Sequence, residues 1–394
     1  FTVTGLITNT TYYFAIKATD NANNVSTLSN VASGKPVAST GECFGAEACN
    51  PTGSPIGGGA GYSKIVTSGN YSVTTKAALL SALSSAQSGQ TIFIPSGVTI
   101  DMNGSSFTGV KAGITIASNR GQNGAKGALI KMTTPGDSWE TPIFDVKGNN
   151  VRFTGLQLEG EMYPQDYGNN SEYYPGSISE GHYLVGIRSM KEYNGAAGSG
   201  YSGLEIDNCE LRGFAWAAIM TYQASNVFVH HNYIHNNEAR GEGYGFNLYG
   251  GQALLEANIF DYNRHDITGG GYAGEQYEAR YNIVLGNGDA IGAAHYDVHQ
   301  DEKGGSFAGE KYLIHHNTFK YGIGVHGNTV SSIHTRHAAT IGTYIDHNLF
   351  EAVATVLPGG VPIYQTNSTL RMFATNNKWM GTLYPTNSTI VWFQ

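Results

Sequence analysis

The chain is poor in charge. Of its 394 residues only 13% are charged, with 22 basic against 30 acidic side chains and a formal charge of -8. A nucleic-acid partner calls for a basic stripe to neutralise phosphates, so that class is set aside. Cysteine is scarce at 3 residues, which excludes a disulfide-built miniature fold. No apolar run approaches the roughly eighteen residues of a membrane span, and no membrane partner is expected. Phe1 begins in mid-pattern without a charged leader, so any export signal is expected upstream of it. What is plentiful is glycine at 53, tyrosine at 25 and small polar residues, beside a hydrophobic content of 40% that fills a large core. This polar, turn-rich, low-charge composition is that of secreted all-β proteins. Cys43 and Cys49 flank a short polar loop and can pair in an oxidising compartment, whereas Cys209 stands alone inside a repeat.

Three regions follow one another. Residues 1–35 alternate apolar and polar over Tyr12, Phe14, Ile16 and Ala18, then turn through Asp20 to Asn24, a hairpin pattern. Residues 36–63 hold Pro, Gly, Ser and the first two cysteines without periodicity, and read as a linker. Residues 64–394 form the main domain. It starts with helical spacing from Thr75 through Leu79, Leu80, Leu83 and Ala86, ends that helix by Gly89, and enters a strand at Thr91–Pro95. A helix placed there would cap the open end of a stack of strands.

From residue 149 onward the pattern repeats. Apolar residues flank Asn208, Asn232, Asn258, Asn282, Asn317, Asn348 and Asn377, at irregular periods in the twenties and thirties. Strands with such periods and few helices predict a parallel β-helix, in which each coil adds one strand to each of several sheets. Asn at a fixed turn can then bond its equivalents above and below, so these seven are expected to form a structural ladder.

Two resemblances come from these residues. Thr4-Gly5-Leu6, Thr10, Tyr12, Phe14, Ile16, Ala18, Asp20 and Asn24-Val25-Ser26 resemble the last strands of a fibronectin type III module, of which about a third is present. That resemblance implies a spacer or attachment piece in a secreted bacterial enzyme. The coil pattern of residues 64–394 is similar to the right-handed parallel β-helix polysaccharide lyases that act on alginate- or pectin-like polymers. The implied whole is all-β: a right-handed parallel β-helix with an N-terminal capping helix, plus a partial fibronectin-like sandwich piece. The implied setting is extracellular, with a polysaccharide substrate and a monomeric enzyme.

The chemistry is expected between Asn263 and Glu302. Strand alternation in His295-Tyr296-Asp297-Val298-His299 turns Tyr296 and Val298 inward and His295, Asp297 and His299 outward. Two coils back, Gly245 to Tyr249 has the same phase, with Asn247 and Tyr249 outward. Matching Ile333 to Val298 puts His334 beside His299 and Arg336 beside Asp301. One outer stripe of Asn247, Tyr249, His295, Asp297, His299, His334 and Arg336 results, with Asn247, Tyr249, His334 and Arg336 expected to bind substrate. Arg264-His265-Asp266 is placed on the turn after a ladder strand, with Asp289 stacked near His265. Tyr244 precedes the outward strand. A polar solvent-facing sheet, or a salt bridge capping a turn, is the structural alternative.

Two reactions suit such a groove. β-Elimination from a uronic acid needs a neutralised carboxylate, a base for the C5 proton and an acid for the leaving oxygen. Tyr244, Arg264, His265, His295 and His299 supply candidates for catalysis, with His265 or His295 as base, Tyr244 as acid or partner base, and Arg264 with Asn247 on the carboxylate. Hydrolysis instead needs two carboxyls about 5 to 9.5 Å apart, for which Asp266, Asp289, Asp297, Asp301 and Glu302 are available. Elimination is the expectation, because His, Tyr and Arg outnumber acids on the stripe. No cofactor is required by it, although a hard divalent cation such as Ca²⁺ would choose Asp297, Asp266 or Asp289. A third reading, a non-catalytic glycan-binding adhesin, is separated from both by the absence of any cleavage product.

Overall fold

A computed structural model describes residues 11–19, 24–34, 43–105, 108–134, 140–161, 183–193, 199–237, 239, 242–285, 294–299, 307–321, 331–352, 363–365, 371–379 and 382–383. The chain divides into two compact units, Phe1–Cys43 and Phe44–Gln394. In the first, Tyr12–Phe14 pairs antiparallel with Ala32–Gly34, and Thr19 bridges Val25, as a hairpin requires. Residues from Phe44 onward, read as the end of a linker, belong instead to the larger unit.

The larger unit is a parallel β-helix. Among the described residues its strands form an 18-stranded sheet and an 11-stranded sheet. The first of these bends into two faces, because Ala217–His230 and Tyr244–Glu256 each run along both. The N-terminal part of Tyr244–Glu256 pairs with His265–Gly269, and its C-terminal part pairs with Gln276–Arg280. Gly250 and Gly251 make the bend at φ 76 and 85, and a Cβ on Gly251 would sit 1.9 Å from the Ala224 carbonyl oxygen. Only glycine fits that corner. We call the part carrying His265–Gly269 and Ala294–Val298 the first face, the part carrying Gln276–Arg280 the second face, and the 11-stranded sheet the third.

Each face turns one apolar row into the interior. Ile187, Ile219, Phe246, Ile267, Tyr296 and Ile333 pair in sequence down the first face. Leu211, Ile234, Phe260, Val284, Phe319 and Phe350 do so down the third. Coils stack about 4.8 Å apart, so like residues meet like residues, as in the parallel rings of Phe319 and Phe350. The helix Lys76–Ser85 is where the spacing predicts it, capped by Thr75 Oγ1 accepting from the Ala78 N–H at 3.2 Å. Its Leu79, Ala82 and Leu83 join the same core. No described helix is long and apolar enough to cross a membrane.

The asparagine ladder lies between the second and third faces. Asn258 Nδ2 donates to Asn282 Oδ1 at 3.0 Å and to the Val229 carbonyl at 2.9 Å, and the same arrangement continues through Asn317, Asn348 and Asn377. Its first member is Asn232. Asn208 is not a rung, because Asp207 pairs with His230 and the register therefore sets Cys209 opposite Asn232. The Cys209 N–H donates to Asn232 Oδ1 at 2.8 Å, and Asn208 takes the left-handed turn position at φ 54. From there its Oδ1 accepts the Gly59 N–H at 2.7 Å.

That contact is one of a series made by residues 44–62. The Gly45 N–H reaches the His347 carbonyl, the Gly57 N–H the Ala257 carbonyl, and Tyr62 donates its hydroxyl to Asp207. The segment thereby runs across the coils along one corner. Cys43 and Cys49 are disulfide-bonded, and Cys209 is free and buried.

Candidate active site

The centre of the site is Asp297, in the strand Ala294–Val298. Tyr296 and Val298 on either side are fully buried in the core, so Asp297 projects outward, as alternation requires. It is nonetheless 0% exposed. Register places it in a row with Asn247, Thr268 and His334 from neighbouring coils. Arg336 grips both its oxygens, Nε to Oδ1 at 3.0 Å and Nη2 to Oδ2 at 2.6 Å. Burial pushes the Asp297 carboxyl up, and the positive partners around it outweigh burial, leaving it below the ordinary carboxylate value.

His265 Nε2 lies 3.7 Å from Asp297 Oδ2. Burial, then the neighbouring Arg264 charge, pushes its imidazole down to about 3. The ring is neutral at pH 7, and Arg336, which forks both Asp297 oxygens, is the permanent positive charge beside that carboxylate. Nδ1 of His265 is 2.6 Å from the Ala294 carbonyl oxygen and 3.2 Å from the Ala294 nitrogen. The shorter contact to a pure acceptor fits Nδ1–H donating, which leaves Nε2 with its lone pair toward the site. Tyr244 stacks on this ring at 5.6 Å and 9°. The Arg264 guanidinium lies 6.0 Å from the Tyr244 ring.

Asn247 is the anomaly. It is 1% exposed, and among the described residues neither its amide oxygen nor its nitrogen has a partner. Thr268 Oγ1, next in the same row, is also buried and unpartnered. A buried polar group without a partner costs about 1–3 kcal/mol, so two together mark a place kept polar for another reason.

Several expected placements change. Arg264-His265-Asp266 is not a turn: Arg264 alone makes the corner, and His265–Gly269 is a strand of the first face. Strand Ile259–Asn263 ends one residue earlier, which leaves no length for a longer turn. His295 does not share the outer row with Asp297. It pairs with Asp266 of the preceding coil, Nδ1 to Oδ2 at 2.8 Å, and Asp266 also accepts from Asn263 Nδ2 at 2.8 Å. Their row continues to Gly245 and Ala218, where a Cβ on Gly245 would meet Phe260 and Ile234 of the core. Alternation fails at this strand start because Ala218 and Ile219 both lie in the core.

The third register also differs. Ile333 pairs with Tyr296 instead of Val298, which sets His334 beside Asp297 with Nδ1 3.8 Å from Oδ1. Arg336 then reaches Asp297 instead of lying beside Asp301. Both slides satisfy inward apolar residues, and the Asp297–Arg336 pair selects one. Tyr249 is outward but only 6% exposed, stacked on Tyr222 at 4.6 Å and edge-on to Tyr272, so it packs the outer wall. His299 follows the strand and is half-buried, its N–H on the Gly269 carbonyl at 3.1 Å.

Among the described residues, the oxygen ligands expected for a cation are not assembled. Asp297 is forked by Arg336, Asp266 is held by His295 and Asn263, and Asp289, Asp301 and Glu302 lie outside the described residues. Calcium requires about six to eight oxygens, and this donor set does not fit it. Elsewhere, among the described residues, Glu205, Asp207 and His230 converge within 4.8 Å. Asp207 there already accepts from Arg152, Thr154 and Tyr62, an ion-pair network.

Residues 177–368 match the family of right-handed β-helix regions. Among solved structures, an alginate lyase from Paenibacillus sp. str. FPU-7 is similar at 17% identity, over 75% of this chain and 97% of that one, with a TM-score of 0.40. A family 28 exopolygalacturonase from Yersinia enterocolitica is similar at 11% identity, over 96% and 77%, with a TM-score of 0.41. A GH136 lacto-N-biosidase from Eubacterium ramulus is similar at 12% identity, over 77% and 64%, with a TM-score of 0.42. A search of curated proteins finds no match. These likenesses leave the reaction to be argued from the site.

Sequence reading missed four members of the surroundings. Thr268 was readable, since Asp266-Ile267-Thr268 has the same phase as the coils on either side. Trp216 accepts the Gly243 and Tyr244 N–H groups on its carbonyl oxygen and, like Tyr244, packs against the buried Val185, Ala217 and Met220. Tyr222 supports Tyr249. Glu161 has no local signal: burial pushes its carboxyl up to about 7, Oε1 accepts the Leu184 N–H, and Oε2 is buried without a partner among the described residues.

Proposed function

We propose that the chain is a polysaccharide lyase that cleaves a uronic-acid-containing polymer by β-elimination, in the groove over the first face. The observation that carries this reading is the buried, unpartnered amide of Asn247 in line with Thr268 and Asp297 and flanked by the Arg264–Tyr244–His265 group. A substrate carboxylate seated there is met by Asn247 and Arg264, which lowers the cost of making the C5 carbanion. His265 Nε2 then takes the C5 proton, the electrons form C4=C5, the C4–O bond breaks, and Tyr244 protonates the departing oxygen.

The depressed basicity of free His265 belongs to this scheme. Arg264 is one of the charges that holds it down. A bound carboxylate cancels that charge, so the base strengthens when substrate is in place. No metal enters a step. Secretion and the fibronectin-like spacer fit a polymer-degrading enzyme and remain part of the proposal.

Incubation with alginate, pectate and other polyuronates tests the reading. A rise in ultraviolet absorbance from the new C4=C5 bond supports it, and its absence with every polyuronate sinks it. Hydrolysis is the second reading, favoured by one observation: Glu161 has the raised, buried carboxyl that a general acid needs. Asp297 does not, its carboxyl being held below the ordinary value beside Arg336. New reducing ends without the ultraviolet signal, lost in Glu161→Gln, would establish hydrolysis.

A further inference from the structure

The outer side of the second face carries a feature that the cleft does not use. Gln252, Gln276 and Lys311 pair in register on successive coils and form one outward row. Leu254, Glu278, Leu313 and Tyr344 form the next row, with Leu254 and Leu313 half-exposed. Between the two rows lies a pocket of about 250 Å³. Farther along the second row, the rings of Tyr344 and Phe373 stack at 5.0 Å, and Phe373 is exposed.

We propose that this face is a second, non-catalytic binding site for the same class of uronic-acid polysaccharide, lying along the helix axis; it rests on the substrate class assigned to the cleft. Sugar rings present apolar C–H faces and hydroxyl edges together. The leucine and aromatic row offers a floor for the first, and the glutamine amides offer donors and acceptors for the second. Lys311 supplies the one cation in the amide row, complementary to a uronate carboxylate. Glu278 does not oppose it, because Arg280 at 2.6 Å and His315 at 3.1 Å already take its oxygen. Successive coils lie about 4.8 Å apart, so a linear polymer laid along the helix axis meets a further residue of each row at every coil.

A linear polymer engaging this row and the cleft gains avidity, whereas a short oligosaccharide in the cleft does not. The full chain is compared with Gln252→Ala/Gln276→Ala/Lys311→Ala and, separately, with Lys311→Glu. Retardation is measured in native gels containing alginate and, separately, pectate, with His265→Gln introduced throughout to stop turnover. The expected result is at least about a tenfold weaker apparent affinity for polymer in both variants, equivalent to losing one good contact. Without His265→Gln, KM for a trisaccharide stays unchanged and so does the unfolding midpoint.

Unaltered retardation overturns the inference. A shift of the wild type from dimer to monomer on substitution overturns it also, since the face is then an interface between copies. The cleft is judged separately by the C4=C5 absorbance. Row-dependent retardation without that signal sinks the lyase reading and leaves this site standing, and the signal with row-independent retardation does the reverse.

Discussion

Acid should weaken this protein through His265 at pH values above the ordinary carboxylate range. The imidazole is 1% exposed and is pushed down to about 3 from an ordinary 6.5. Below pH 6.5 the unfolded chain binds a proton that the folded chain refuses, so folding stability falls as pH falls. The slope is about 1.4 kcal/mol per pH unit, which gives roughly 2 kcal/mol between pH 6.5 and 5 and about 5 kcal/mol down to pH 3. His231, pushed down to about 4 by burial and then by His230, adds a background in the same direction. The control is His265→Gln, whose amide can keep a contact with Ala294 and does not titrate. Urea midpoints converted with the m-value at pH 7, 6 and 5 should show the gap between wild type and variant narrowing by about 2 kcal/mol on acidification. Parallel loss in the two proteins would refute the buried, neutral state of His265, and with it the base assigned here.

Arg336→Gln should remove the fork on Asp297; because Arg336 is 28% exposed, a loss at or below the low end of the roughly 3–5 kcal/mol for breaking a buried pair is expected, read by thermal unfolding. The depressed Asp297 carboxyl contributes stability above its unfolded value near 3.9 that disappears as pH falls through its folded value, and the variant should show less of this acid dependence. Asn247→Leu should cut turnover by about 10²–10³, as loss of one charge-stabilising donor does, while stability holds or rises because an unpartnered amide is removed. An Asn247→Leu protein that is both active and destabilised would contradict that role. Asn258→Ala should cost roughly 3 kcal/mol, since its side chain bonds Asn232, Val229 and Asn282 in a fully buried position. Tyr244→Phe should reduce kcat more than KM in the ultraviolet assay if Tyr244 hands its proton to the leaving oxygen.

The repeat of Asn between apolar residues was enough to predict a parallel stack with a ladder, because hydrogen bonds and alternation are local rules that recur in every coil. The helix after Thr75 and the outward phase of Asn247 and Asp297 follow from the same rules. Asn208 is the exception: its flanking Ile206 and Leu211 pair in step with Val229 and Ile234, which leaves Asn208 one residue early and sets Cys209 at the rung position. Residues 44–62 have no period of their own, and their course is decided by groups the finished corner offers, such as Asp207 and the Ala257 carbonyl.

The stretch from Asn263 to Glu302 divides along the same line. Its amino acids determined that His, Asp and Arg would gather on one β-helical face, and that Tyr296 and Val298 would point inward. Which partner each charged group takes was settled only by the tertiary structure. A strand can slide by two residues with no change in its buried side, so alternation alone could not choose between Val298 and Tyr296 as the mate of Ile333. The Arg336–Asp297 ion pair, the interior corner that holds Asp266 with His295, and the burial that keeps His265 neutral exist only once neighbouring coils are stacked.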